Sequence, residues 1–465
     1  MEHCFFSIPG LAARRTHLLT GVLIGSLAGL MLASSGRADS LQSAVSHTIE
    51  TNPEILISIN QLRASEERVT IEKAAYLPKL GISGRVGWQR KDGKLKSGHY
   101  KTTDRVGETT IALKQMLFDG FSTSHRLKGA RMDSHSRSLL MKARAETVAL
   151  KVAEVYLRVI RSEQVVELAR ENLAVHDEIY NQIFQRTDSG LSRSSDLEQI
   201  RSRRARASSN LIVAINTLSD SRSEFLGIVN RKPNALIMPH LSDDLLPGTL
   251  EKALSMAGKI NPMIQASSYQ IKTYEAQAEA TKSSFLPKLG IEVGQTWNDV
   301  DSDLATSDGR TDSLSAMLNF SYNIYNGGAD KARRREAAWR VEEARASRDL
   351  DYRNISRDLR RAWDAYIYLN GQVKYLEEHI TASQKVAQAY QQQFQLGKRS
   401  LLDLLDTENE LFHSQKDFIQ TVHDEIHTRF RILHSTGQLL TSMNIDLPTV
   451  LRPEVSLRAA LLGDL

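Results

Sequence analysis

The sequence predicts a mainly α chain with transmembrane β, built from one unit, a β-hairpin followed by an unusually long helix, used twice. Three observations carry that prediction. Ile355, Leu359, Ala362, Tyr366, Leu369, Val373, Leu376, Ile380, Ser383, Ala387, Tyr390 and Phe394 follow one another at alternating spacings of four and three, with Ser383 alone polar. A strict seven-residue repeat of this kind marks a supercoiled helix with a narrow apolar seam. The same seam runs 207 residues earlier through Val148, Val152, Val155, Val159, Ser162, Val166, Ala169, Leu173, His176, Tyr180 and Ile183. Asn261-Pro262 likewise repeats Asn52-Pro53 at a distance of 209 residues, and Leu286-Pro287-Lys288-Leu289-Gly290-Ile291 repeats Leu77-Pro78-Lys79-Leu80-Gly81-Ile82 at the same distance. After each of these the apolar period changes from helical to two, as it does in strands.

A length of 465 residues would by itself suggest about three domains, but an internal repeat takes precedence over that prior. The charged fraction of 25%, with low aromatic content and few prolines, suits long helices with solvated faces. Arg14 and Arg15 precede an apolar run from Leu18 to Leu32, followed by small residues and Gly36-Arg37-Ala38. This is the layout of a secretory signal peptide over residues 1–38, and the run is too short and too rich in Gly, Ser and Ala to serve as a membrane anchor. Its removal takes Arg14, Arg15, Arg37 and Glu2, so the net charge falls from +5 to +3. So small an excess gives no reason to expect nucleic-acid binding. Cys4, the one cysteine, leaves with the leader, which excludes a disulfide, thiol chemistry and an N-terminal lipid anchor in the mature chain.

The first repeat spans 39–230. Leu41 to Tyr76 reads as helix interrupted at Asn52-Pro53, and Pro78 ends it. A hairpin over 79–118 follows: Leu80, Ile82, Val86 and Trp88 alternate with Gly81, Ser83, Arg85 and Gln89, then Ile111, Leu113 and Leu117 with Ala112, Lys114 and Met116. Its connecting loop, 90–108, is polar. A long helix from about Ser122 to Arg186 turns through Gly190 into a returning helix, Ser195 to Val229. Pro233, Pro239 and Pro247 punctuate a linker over 231–249. The second repeat, 250–440, has a broken helix from Leu250 to Ser284, a hairpin over 288–325 with a loop at 299–313, a long helix from about Ala329 to Leu396, and a return from Leu401 to Leu440. At ~1.5 Å per residue each long helix reaches roughly 100 Å, and the shorter helices can stack end to end to match that length. Residues 441–465 form a tail with no readable signal.

No charge falls on the apolar face of any of the four strands, whereas Arg85, Lys114 and Glu292 lie on the other. Strands of ten to twelve residues that are lipid-like outside and polar inside suit an outer-membrane barrel. A half-buried sheet in a soluble sandwich would ordinarily keep its strands close in sequence. Four strands cannot close a barrel, since about eight are needed, and open edges do not survive in lipid. Oligomerisation is therefore expected, and three copies give twelve strands.

With the duplication, the paired Leu-Pro-Lys-Leu-Gly segments and Gly397-Lys398-Arg399-Ser400-Leu401-Leu402-Asp403-Leu404-Leu405-Asp406, the chain resembles the TolC-like outer-membrane efflux proteins from about Leu41 to Leu440. The resemblance implies a homotrimer in outer-membrane lipid: a twelve-stranded barrel continued by an α-helical coiled-coil tunnel across the periplasm. It implies a passive exit duct with no cofactor, meeting a periplasmic adaptor and an inner-membrane transporter, either ABC or proton-driven. The adaptor would dock at the turns carrying Gly190, Leu191, Gly397 and Lys398. Lys398-Arg399-Ser400-Leu401-Leu402-Asp403 and the missing lipidation cysteine lean toward type I protein secretion over drug efflux. A structural or adhesive surface protein is the alternative from another class; it would expose long sticky loops, and those here are short and polar.

Asp403 and Asp406 match the family's paired aspartates, which form acidic rings at the tunnel mouth. Residues three apart share one helix face, and threefold symmetry would gather six carboxylates, raising local cation density. Ser400 with Asp403 also reads as a capping box, which accounts for Asp403 better than for Asp406. Arg399 and Asp196 match the family's gate-closing pair, since Gly190 through Asp196 aligns with Gly397 through Asp403 at an offset of 207. Ser195 stands where the family has a hydroxyl partner, but Phe394 replaces the tyrosine that would reach it, so this gate rests on charge. The alternative is a surface salt bridge of negligible strength.

His423-Asp424-Glu425-Ile426-His427 places two imidazoles one turn apart, but a zincin needs Glu directly after the first His. The expectation is a solvated helix face, with no metal and no catalytic constellation. Arg201, Arg203, Arg204, Arg206 and Arg333-Arg334-Arg335 are interleaved with acids and read as solvated tunnel walls or headgroup contacts. Without a phosphate-binding Gly-rich motif, the energy for transport has to come from a partner.

Overall fold

The computed structural model describes residues 39–95, 98–302 and 309–445. The expected leader and residues 446–465 of the tail lie outside the described residues. The two repeats fold into matching elements. The first holds α1 (Leu41–Thr51), α2 (Pro53–Lys73), β1 (Lys79–Leu95), β2 (Gly98–Phe118), α3 (Ser122–Asp188) and α4 (Ser194–Val229). The second holds α5 (Leu250–Ile260), α6 (Pro262–Thr281), β3 (Lys288–Asp301), β4 (Gly309–Ser321), α7 (Ala329–Gln395) and α8 (Leu401–Thr436), with a short α9 (Leu439–Ser442) at the end. Both long helices have 67 residues and both returning helices 36.

The repeated Asn-Pro works identically in each copy. Asn52 closes α1 with its N–H on the Thr48 carbonyl, then caps α2 by accepting the Glu54 N–H at 2.8 Å, with Pro53 at the first helical position. Asn261 does the same between α5 and α6, accepting from Met263 at 2.9 Å. A side chain that bonds backbone can end one helix and start the next, so a break is made without a loop.

All four strands form one antiparallel sheet in the order β1-β2-β3-β4, which brings the two hairpins together although residues 119–287, mostly helix, lie between them. The register sets Leu80, Leu113, Val293 and Ala316 in one row, and Ile291 opposite Leu318. This apolar face is uncovered within the chain: Leu80, Ile82, Val86 and Trp88 are 73–76% exposed. On the opposite face, charges pair across strands, with Arg85 on Glu108 at 2.6 Å, Lys114 on Glu292 at 3.0 Å and Lys91 on Asp104 at 3.0 Å. Among the described residues no helix is long and apolar enough to cross a membrane.

The strands correct two expectations. All four strands outrun the expected ten to twelve residues: β1 and β2 run to 17 and 21, so 90–95 and 98–108, expected as loop, are paired strand, and β3 and β4, at 14 and 13, take 299–301 and 309–313 from the second expected loop. From Gln89 to Lys94 β1 carries no apolar side chain, so the period-two signal vanishes while the strand pairing continues. β4 stops at Ser321 rather than Ile324, because its partner β3 begins at Lys288, directly after Pro287.

In the half of the helical body next to the sheet, neighbours run α2, α3, α6, α7; in the distal half they run α4, α3, α8, α7. The main core lies at the middle, where Val148, Val152, Val155 and Val159 of the expected α3 seam pack against Val45, Ile55, Phe225, Val229, Phe430 and Leu433. Tyr156 ties the linker down there, its hydroxyl accepting the Ile237 N–H at 2.9 Å and lying 2.6 Å from the Asp39 carbonyl oxygen. The α7 seam is half-buried or buried throughout, but α7 sits at an edge of the row, leaving Tyr368 and Tyr375 76% and 71% exposed. The returning helix ends at Thr436, before the expected Leu440, because Gly437 takes a left-handed backbone (φ +78°) and a Cβ there would meet Pro262.

Two features were hidden in the sequence. Glu146 of α3 is buried, and its carboxylate caps α9 by accepting the Leu439 N–H at 3.0 Å; burial pushes its pKa up to about 7. His423 is also buried, which corrects the solvated-face expectation: α8 packs on α3 at this level, and His423 Nδ1 lies 2.8 Å from the Ile419 carbonyl oxygen. Burial lowers the pKa of both His423 and His427. Among the described residues no group of three or more His, Cys, Asp or Glu is placed to hold a metal ion.

Candidate functional site

The ends of the two helical hairpins farthest from the sheet carry most of the residues singled out in the sequence. The turns are built alike. α3 ends on Ser189, Gly190 turns left-handed at φ +72°, and the Leu191 N–H returns to the Arg186 carbonyl at 2.7 Å. α7 ends on Leu396, Gly397 turns at φ +70°, and the Lys398 N–H returns to the Gln393 carbonyl at 2.8 Å. This six-to-one closure needs a residue that enters the left-handed region without steric cost, which is why glycine stands at both places. Gly190, Leu191, Gly397 and Lys398 are all exposed, so both turns are open for contact.

α8 starts as the capping pattern requires. Ser400 Oγ accepts the Asp403 N–H at 3.2 Å, and Asp403 puts a carboxylate in the first turn. α4 is not capped by a side chain at Arg193; instead Ser192 Oγ donates to Asp196 Oδ2 at 3.2 Å. Ser195 is exposed, and among the described residues its side chain makes no hydrogen bond.

Arg399 does not meet Asp196 within one chain. Its guanidinium lies 4.1 Å from the Tyr390 ring centroid, donates from Nε to Gln393 Oε1 at 3.1 Å and approaches Asp403 Oδ2 at 3.7 Å. Phe394, at the place where the family has a tyrosine, is buried with Ile179, Ile183, Ile200, Leu401, Leu404 and Leu405 in an apolar plug joining both hairpins. Arg186 covers the Phe394 ring at 5.3 Å. Tyr390, read in sequence as a seam residue, is therefore the aromatic partner of the turn arginine, one helical turn before Phe394.

The two aspartates differ in their surroundings. Asp403 gives its backbone N–H to the Ser400 cap, and its carboxylate has the loose contact to Arg399. Asp406 Oδ1 accepts from Arg203 Nη2 of α4 at 2.7 Å. Neighbouring Arg204 pairs with Asp177 of α3 and lies over Tyr180 at 5.0 Å. From sequence these arginines read as solvated tunnel walls or headgroup contacts, since nothing in a local charge run reveals a partner 203 residues away.

Comparison with known proteins agrees with this architecture. A family model described as "Outer membrane efflux protein" matches residues 44–224 and again 253–432, starting points 209 residues apart, as the two Asn-Pro breaks are. The chain is 25% identical over 422 residues to the outer membrane efflux protein BepC of Brucella suis, covering 91% of this chain and 89% of that one. It is 21% identical to the outer membrane protein TolC of Vibrio cholerae, covering 88% and 93%. It is also 21% identical to the alkaline protease secretion protein AprF of Pseudomonas aeruginosa, covering 88% and 87%. The crystal structure of the CmeC outer membrane channel of Campylobacter jejuni superimposes with a TM-score of 0.75 at 13% identity, over 88% of this chain and 90% of that one. Duplicated in sequence, in helix length and in family match, this chain belongs to the outer membrane efflux protein family.

Proposed function

We propose that three copies of this chain form a passive exit duct across the outer membrane and periplasm, the outer component of a tripartite export system. One observation carries the reading: a single sheet, apolar on one face and lined with paired charges on the other, sits at one end of paired helices about 100 Å long. Among the described residues its edges β1 and β4 have no partner strand, so a continuous wall requires further copies. The helical row is open in the same way, with α2 and α4 at one side and α7 at the other.

Type I protein secretion is the cargo class we favour, supported by the likeness to AprF, named a protease secretion protein, and by the turn sequence from Lys398 to Asp403. The likeness to BepC, named an efflux protein, supports small-molecule efflux as the second reading. An adaptor would seat at the exposed turns around Gly190 and Gly397, and an inner-membrane pump, ABC or proton-driven, would supply the energy. At the closed tip Arg399 exchanges its loose contacts for Asp196 of a neighbouring copy, with Ser195 beside it, while Asp403 and Asp406 lie near the mouth.

The test is electrical. Purified protein in planar bilayers is expected to show a small resting conductance, and Arg399→Ser is expected to raise it several-fold. A protein that makes no channel would remove the duct reading; a channel that stays equally closed in the variant would remove Arg399 as a latch. A deletion strain then separates the cargo classes, by loss of an extracellular polypeptide or by drug hypersensitivity.

A further inference from the structure

The distal half of the molecule is two hairpins, α3/α4 and α7/α8, and any opening of the tip has to move one against the other. Most polar contacts at the tip stay inside a hairpin: Arg399 with Asp403, His379 with Glu410 at 3.3 Å, Ser192 with Asp196 and Arg204 with Asp177. In that half, among the described residues, two ion pairs join the hairpins. Arg161 of α3 meets Asp424 of α8 at 3.6 Å toward the middle of the body, and Arg203 of α4 meets Asp406 of α8 at 2.7 Å near the tip. The second is the tighter and is a charge-assisted hydrogen bond. It also spans helices that otherwise barely touch, because α3 stands between α4 and α8 in the row.

The bridge has no copy in the duplicated half. At the offset of 207 residues the positions equivalent to Arg203 and Asp406 are Glu410 and Gln199, which cannot form an ion pair with each other. A ring made of alternating repeats would therefore carry this bond at one of its two kinds of junction. Its position matters as much as its strength: Ile200 and Leu404, the apolar neighbours of the bridge along α4 and α8, belong to the buried plug that holds the hairpins together.

We infer that Arg203 is a positioning and selectivity residue of the duct: it latches the first hairpin to the second within each chain and neutralises Asp406 while it does so. The inference rests on the exit-duct reading and deepens it. The mouth of the closed state then presents Asp403 as its available carboxylate, and Asp406 adds its charge when the hairpins part. A wall residue that only packed would affect opening without affecting ion selectivity, whereas this pair couples the two.

Two substitutions that break the same bond leave opposite charge behind. In bilayer recordings Arg203→Gln and Asp406→Asn are both expected to raise resting conductance several-fold. Half-block by hexaamminecobalt(III) is expected at a lower concentration in Arg203→Gln, where Asp406 is left unpaired, and at a higher one in Asp406→Asn. The exchanged pair, Arg203→Asp with Asp406→Arg, is expected to return conductance toward the parent value. Each variant is first checked for an oligomer of parental size in detergent, and the exchanged pair guards against a tip that has simply misfolded. Unchanged conductance in both single variants, or block that moves the same way in both, would overturn the inference while leaving the duct intact. A parent protein without channels would instead remove the reading beneath it.

Discussion

Glu146 shows how much a single side chain in this fold can hide. In the sequence it stands between Ala145 and Thr147 in a stretch that also carries Lys142 and Arg144, and nothing local separates it from a solvated helix face. The fold buries it against the start of α9, where it accepts the Leu439 N–H, and burial raises its pKa to about 7. The unfolded chain titrates near the ordinary 4.5. Between those values the folded protein keeps a proton that the unfolded chain has lost, so stability falls as pH rises through that window and is level above about 7. Glu146→Gln keeps an acceptor for the backbone and carries no charge at any pH. Its unfolding free energy is expected to exceed the parent's at pH 8 by on the order of 2 kcal/mol, and to match it near pH 4, as read from denaturant unfolding at the two pH values. Equal shifts at both values would mean that the carboxyl is not held protonated. The residues at the tip were unevenly legible for the same reason. Asp403 announced itself through Ser400 three positions earlier, because capping is local; Arg203 and Tyr390 did not, because their partners are set by how hairpins lie together.

At the scale of elements, periodicity carried most of the fold and failed where its physical cause ends. The long helices were readable to within two residues, since a seam at alternating four and three has to stay buried along its whole length, and glycine marks each end. The Asn-Pro breaks were legible as interruptions, and the structure adds that Asn does both the closing and the capping. β1 and β2 were legible to Trp88 and from Ile111, the part in which one face is uniformly apolar; their outer portions, held by Lys91–Asp104 and by backbone pairing, carry no alternation to read. Facing was legible even so, and it can be tested on adjacent residues. Leu113 lies in the apolar row with Leu80 and Val293, and Ala112 lies on the opposite face between Gly81 and Gly294. An arginine facing lipid costs roughly 2–4 kcal/mol at mid-membrane, and far less facing a polar interior. Leu113→Arg is thus expected to deplete the protein from the outer-membrane fraction while Ala112→Arg leaves its amount near the parental level. Equal depletion would mean the face has been assigned wrongly.

The whole molecule is an open row closed on neither side, and the nature of its two sides dictates how copies can join. One side presents α2 and α4, with Ile212 and Val213 exposed; the other presents α7, with Tyr368 and Tyr375 exposed one heptad apart. The sides are different surfaces, so a ring must join the α7 side of one copy to the α4 side of the next, a heterologous contact that closes when the rotation allows. Placing a charge in either surface breaks every junction of the ring, so Tyr368→Asp with Tyr375→Asp, or Ile212→Asp with Val213→Asp, should each leave monomers in detergent. Co-expression of the two variants gives the discriminating result. The intact α7 side of one variant can meet the intact α4 side of the other, but both remaining sides are disabled. One junction therefore forms and no more, and native mass measurement should find a heterodimer without restored trimers. If each surface instead joined its own kind across a twofold axis, every variant would keep one working self-contact and form a homodimer by itself. Homodimers of the single-side variants would refute the ring, because an alternating junction leaves each of them with nothing to pair with.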